Sequence, residues 1–151
     1  MTKIISWAAV IIWMSLIFYF SQQQATASNE LSTGITEVII QTVEKIAPDM
    51  GVDLRGLNHI VRKNAHFLIY LVLGVLVINA LRRSGVHEYY RSMVLSILIC
   101  ALYAISDEVH QLFVNGRGPQ VKDVFIDSAG AIVGISLFCM IDWILNNKNT
   151  H

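Results

Sequence analysis

Between Tyr103 and Gly134 the chain reads YAISDEVHQLFVNGRGPQVKDVFIDSAGAIVG. This sets Asp107, Glu108, His110, Gln111, Arg117, Lys122, Asp123 and Asp127 beside or inside two runs apolar enough to cross a bilayer. An Asp or Lys at the centre of a membrane helix costs roughly 2.5 to 3.5 kcal/mol on insertion-based scales, so such residues usually face a bundle interior or a wet cavity. Histidine exchanges protons near neutral pH, carboxylates orient an imidazole or ligate a hard cation, and Arg and Lys hold anions. An upstream set adds to them. His59, Arg62, Lys63, His66 and Tyr70 recur at roughly i, i+3, i+4, i+7 and i+11, which is one face of a helix.

These residues need elements to position them, and the composition says which kind. With 54% hydrophobic residues and a mean hydropathy of +0.54, the 151-residue chain is too apolar for an ordinary soluble domain, so we expect a single membrane domain over residues 1–151. The formal net charge of zero argues against a nucleic-acid partner, which would require a clustered surplus of Lys and Arg. Cys100 and Cys139 lie singly in apolar runs without metal-binding spacing, and buried free thiols are expected.

Four spans are expected, at about 4–20, 64–81, 92–113 and 121–145. The first could instead be read as a signal peptide with Lys3 as its charged end and Ala25-Thr26-Ala27 as a cleavage site. Its apolar run outlasts the usual core of about 7 to 15 residues, so an anchor is expected. Beyond it, Leu31, Ile35, Val38, Ile39, Thr42, Val43 and Ile46 recur with helical spacing after Ser28 or Asn29 and before Pro48. That pattern predicts an amphipathic extracytoplasmic helix between spans one and two, lying on the membrane or closing over the site. On span three, Tyr103, Ser106, Asp107 and His110 share a face with Gln111 at its margin, and Glu108 is expected to point elsewhere. Asn115-Gly116-Arg117-Gly118-Pro119 is a dense turn signal, able to cradle an anion beside Arg117 or to serve simply as a tight turn. On span four Asp123 and Asp127 continue into Gly130 and Gly134 on one face. Glycines at that spacing admit a close neighbouring helix, so the carboxylates should point into the bundle. The short loop from Arg82 to Arg91 carries three Arg and reads as cytoplasmic, although Arg62 and Lys63 flank the opposite end of span two. Both termini are then cytoplasmic and the polar motifs lie toward the outer face.

RKNAHFLIY at Arg62–Tyr70, DEVHQLF at Asp107–Phe113, GRG at Gly116–Gly118 and DVFIDSAG at Asp123–Gly130 together resemble the VanZ-like family of bacterial membrane proteins, in the family's order along the chain. The FYFSQ ending of the first span also fits. Asn115 stands where the family often has Pro, which affects the stiffness of the loop more than the chemistry. The resemblance implies a polytopic all-α protein of the bacterial cytoplasmic membrane, in a family named after a protein associated with teicoplanin resistance. It implies an architecture, not a mechanism.

The leading expectation is recognition of, or action on, a polar or phosphorylated envelope lipid or peptidoglycan precursor at the outer leaflet. Arg62, Lys63, Arg117 and Lys122 would contact the anion, with Tyr70, Gln111 and Asp123 in the same ligand-binding set. His66, Asp107, Glu108, His110 and Asp127 form the candidate catalytic set, the carboxylates orienting the imidazoles or holding a divalent cation. A metal-assisted hydrolase or transferase is an alternative. Its ligand spacing selects no particular metal, and the chain has no H-E-x-x-H or nucleophile-elbow motif. A proton-coupled transporter would use the same groups as a relay, but these cluster at one end. A purely structural role would lock the helices together, with Arg62–Asp123 and His110–Asp127 as plausible pairs.

Overall fold

The computed structural model describes residues 2–22, 33–34, 38, 54–114 and 120–148, apart from the side chains of 54–59, 62 and 148. Four helices account for nearly all of them: α1 (Thr2–Ser21), α2 (Leu54–Arg83), α3 (Tyr89–Gln111) and α4 (Val121–Lys148), with no strand among the described residues. Each contains a segment long and apolar enough to cross a membrane: Thr2–Ser21, Lys63–Arg83, Tyr89–Gln111 and Val121–Asn147. At 1.5 Å per residue the shortest, 20 residues, covers the roughly 30 Å of a hydrocarbon core. In lipid every backbone polar group must be satisfied within the segment, and continuous helices do that. The expected amphipathic helix lies outside the described residues except for Thr33, Gly34 and Val38, which are helical and exposed.

Hydrogen bonds between helices show their directions. Trp7 Nε1 near the start of α1 donates to Ser84 Oγ just beyond α2 at 2.9 Å, whereas Gln111 Nε2 at the end of α3 donates to Ser21 Oγ at the end of α1 at 3.3 Å. α1 and α3 therefore run one way. α2 and α4 run the other, parallel to each other, and form the most extensive interface in the bundle. Glycine makes that interface possible: a Cβ on Gly130 would strike the backbone of Phe67, one on Gly134 that of Leu71, and one on Gly74 that of Ala131. Side-chain-free contact of this kind compensates for the missing hydrophobic drive between helices in lipid.

The α2–α3 connection is short because α2 ends in a Schellman motif. Val86 N–H donates to Leu81 O at 3.2 Å and Gly85 N–H to Arg82 O at 3.1 Å, with Gly85 at φ 97°. Val86 packs against the core that contains Leu81. α1 is fastened by its aromatic neighbours as well as by packing: Trp13 Nε1 donates to Ile69 O at 3.0 Å and Tyr103 Oη to Met14 O at 2.6 Å. The buried core runs through Val10, Ile17, Tyr70, Leu73, Val77, Cys100, Ala104 and Ala131, leaving the outer aliphatic faces for lipid. Cys100 and Cys139 are free thiols, Cys100 buried and Cys139 half-buried.

Candidate functional site

The alternating helix directions bring the end of α3 beside the starting halves of α2 and α4, and polar side chains collect there. Asp107, Glu108 and Gln111 of α3 are buried, as are Asp123 and Asp127 of α4 and Tyr70 of α2. Asp127 has no exposed surface at all. Its Oδ1 lies 3.5 Å from His66 Nδ1, close enough for strong attraction but longer than an ordinary hydrogen bond. One turn toward the helix starts, Lys63 Nζ stands 4.0 Å from Asp123 Oδ1. His66 also lies within electrostatic reach of Asp107 and Asp123, and Tyr70 within reach of Asp107, Glu108 and Asp127.

Local sequence explains each placement. Lys63, His66 and Tyr70 share one face of α2 at helical spacing, and Asp123 and Asp127 share one face of α4. The same α4 face continues into Gly130 and Gly134, whose contact with α2 holds Asp127 against His66. Asp123 in the first turn of α4 also meets the positive end of the helix dipole. Glu108 fixes the start of that helix, since its Oε2 accepts the backbone N–H of Gln120 at 2.8 Å.

Several expectations change. Glu108 does not point elsewhere: it is buried beside Asp107, because the inward face of α3 is wide enough at its end to take both carboxylates and Gln111. Ser106, expected to share a face with Asp107, is exposed and donates to Tyr103 O within its own helix. The partner of Asp127 is His66, since α2 and α4 touch along their glycines. His110 instead stacks on Phe18 of α1, ring centroids 4.4 Å apart, and is only half-buried. Asp123 faces Lys63, and Lys122, next to it in sequence, is exposed. The Arg62 side chain and Arg117, with the turn 115–119, lie outside the described residues. Among the described residues no three His, Cys, Asp or Glu side chains are arranged to hold a metal ion.

A second polar cluster at the opposite end of the bundle was not anticipated. Arg82 Nη2 pairs with Asp142 Oδ2 at 3.0 Å, the Arg82 guanidinium lies 4.1 Å from the centroid of the Tyr89 ring, and Tyr89 Oη donates to Asp142. The signal was present, because Asp142 is a lone acid in an otherwise apolar run. Pairing α2 with α4 in parallel puts it level with Arg82.

Searches of curated proteins and of solved structures each return no match. The VanZ/LLP1 family model matches residues 6–143, which include all four membrane-spanning helices almost entirely, and the chain therefore belongs to the VanZ/LLP1 family.

Proposed function

We propose that this protein resides in the bacterial cytoplasmic membrane and recognises, at the outer leaflet, the polar head group of an envelope lipid or lipid-linked peptidoglycan precursor. The observation that carries this reading is the fully buried Asp127 beside His66 within membrane-spanning segments, with Asp107, Glu108, Asp123 and Lys63 gathered at the same end. Ionisable groups are retained at such depth when they serve a ligand or an ion path. This cluster lies at one end, separated from the Arg82–Asp142 pair at the other by the apolar core around Leu73, Val77 and Cys100, which suits a head group held in one leaflet better than a relay crossing the bilayer. Arg82, Arg83 and Arg91 at the opposite end support the orientation, by the positive-inside tendency.

The side chains suit such a ligand. Lys63 keeps 29% of its side chain exposed beside buried Asp123, so its ammonium can meet an anionic group arriving from the membrane surface. His66 lies between Asp127 and the partly open side of the cluster, where a carboxylate-oriented imidazole can pass protons to and from a bound head group. Arg62 and Arg117 complete the anion contacts in this proposal. A role in the response to glycopeptides such as teicoplanin rests on the family's name.

Native mass spectrometry of the purified protein tests the reading, comparing wild type with Asp127→Asn and Asp107→Asn after each is shown to be helical and monodisperse. Wild type should retain an envelope lipid that both variants release. No retained lipid in wild type would refute it.

A further inference from the structure

Resting on the head-group reading above, we infer that the deepest part of the site binds a protonated primary amine, the ammonium of an aminophospholipid head group. The argument comes from what the buried polar atoms lack. Tyr70 Oη, Glu108 Oε1 and Asp127 Oδ2 are buried and accept or donate no hydrogen bond, and Asp127 Oδ1 meets His66 Nδ1 only at 3.5 Å, the outer edge of hydrogen-bonding distance. Tyr70 and Asp127 have no exposed surface, and Glu108 is 4% exposed. The three residues come from three different helices and lie within electrostatic reach of one another. Buried polar groups are nearly always satisfied, and an unmet one costs about 1–3 kcal/mol, more when it is charged.

The unmet atoms are overwhelmingly acceptors. A carboxylate can only accept, and the Tyr70 hydroxyl can accept as well as donate. The complementary ligand is therefore rich in N–H or O–H donors, and it is not a phosphate, whose oxygens would repel Asp127 and Glu108. Charge then favours an ammonium over a sugar hydroxyl. Among the described residues no Lys or Arg forms an ion pair with Asp127 or Glu108. Lys63 is paired with Asp123 and Arg82 with Asp142, and among the described residues the basic group paired with Asp127 is the imidazole of His66. A carboxylate taken out of water needs a compensating cation. A primary ammonium brings one positive charge and three N–H donors. Methylation removes those donors one by one while keeping the charge, which makes the chemistry separable. The phosphate of the same head group falls to the more exposed Lys63.

The test is a titration of detergent-solubilised full-length protein with phosphatidylethanolamine, its N-methyl and N,N-dimethyl forms, phosphatidylcholine and phosphatidylglycerol, all with the same acyl chains, read by native mass spectrometry. Affinity should fall stepwise along the methylation series, with phosphatidylcholine at least about tenfold weaker than phosphatidylethanolamine, the loss expected from charged hydrogen bonds. Glu108→Gln and Tyr70→Phe, conservative in size, should each narrow that ratio. Tyr70→Phe keeps the ring in the core, so a folded variant is available even where a carboxylate change unfolds the protein. Equal binding of phosphatidylethanolamine and phosphatidylcholine would overturn the ammonium assignment, and so would preference for phosphatidylglycerol. Either result would leave the head-group reading standing, whereas binding of no lipid in the panel by wild type, which also retains no lipid of its own on purification, would remove both. Free ethanolamine competing as strongly as the lipid would overturn the lipid as the source of the amine.

Discussion

Replacing Gly134 with Ala tests whether backbone contact between α2 and α4 holds the site together. The added Cβ would lie against the Leu71 carbonyl oxygen, 2.9 Å from its carbon and 3.2 Å from the Leu71 Cα. Those are backbone atoms, and no rotamer change can move them aside. Overpacking of a tight interior costs about 1–3 kcal/mol, and a neighbour that cannot yield belongs at the upper end. Alanine returns up to about 1 kcal/mol through its better helix preference. The net expectation is a loss of about 2 kcal/mol. Reversible unfolding in mixed micelles, followed by far-ultraviolet circular dichroism, measures it, with Ala129→Val on the exposed side of the same helix as a control expected to stay within about 0.5 kcal/mol of wild type. Gly130→Ala should behave like Gly134→Ala and weaken lipid retention further. Gly130 lies against Phe67, next to His66, and less than a turn from Asp127, so a wedge there widens the His66–Asp127 gap directly. A Gly134→Ala protein as stable as wild type would refute the proposed packing and its control of the site.

Other perturbations separate the remaining contributions. Gly85→Ala should cost about 1 kcal/mol in the same assay although no atom crowds that position, because its φ of 97° is unfavourable for any residue with a Cβ. Tyr103→Phe removes only the hydroxyl bound to Met14 O and should lower stability by about 0.6 kcal/mol, the average for interhelical hydrogen bonds in membranes, with no change in lipid selectivity. Arg82→Lys keeps the charge but loses the planar contact with Tyr89 and the Nη2 contact with Asp142. We expect a loss of about 1 kcal/mol, read as a lower midpoint in thermal size-exclusion measurements. His110→Phe should leave stability and head-group binding nearly unchanged, since His110 stacks on Phe18 and stands apart from the Asp127 pair. A binding loss as large as that of Asp127→Asn would show this separation to be wrong.

Much of the molecule was legible in the chain itself. Four long apolar runs can satisfy their backbone in lipid only as helices, so class and spans followed from composition and length. The i, i+4 spacing of Asp123 and Asp127 above Gly130 and Gly134 pointed the carboxylates inward, because a glycine face in a membrane helix attracts a neighbour. The family motifs agreed with that reading. What sequence could not decide was who meets whom. Helical periodicity gives a face but not its width, so it places Glu108 off the face of Asp107, whereas the end of α3 buries both. It gives no register between helices either. The parallel contact of α2 with α4, brought to backbone distance by Gly74, Gly130 and Gly134, is what pairs Asp127 with His66, Asp123 with Lys63 and Asp142 with Arg82. Residue types and spacing determine which groups can do chemistry, whereas only the packing of helices distant in sequence decides which of them share a site.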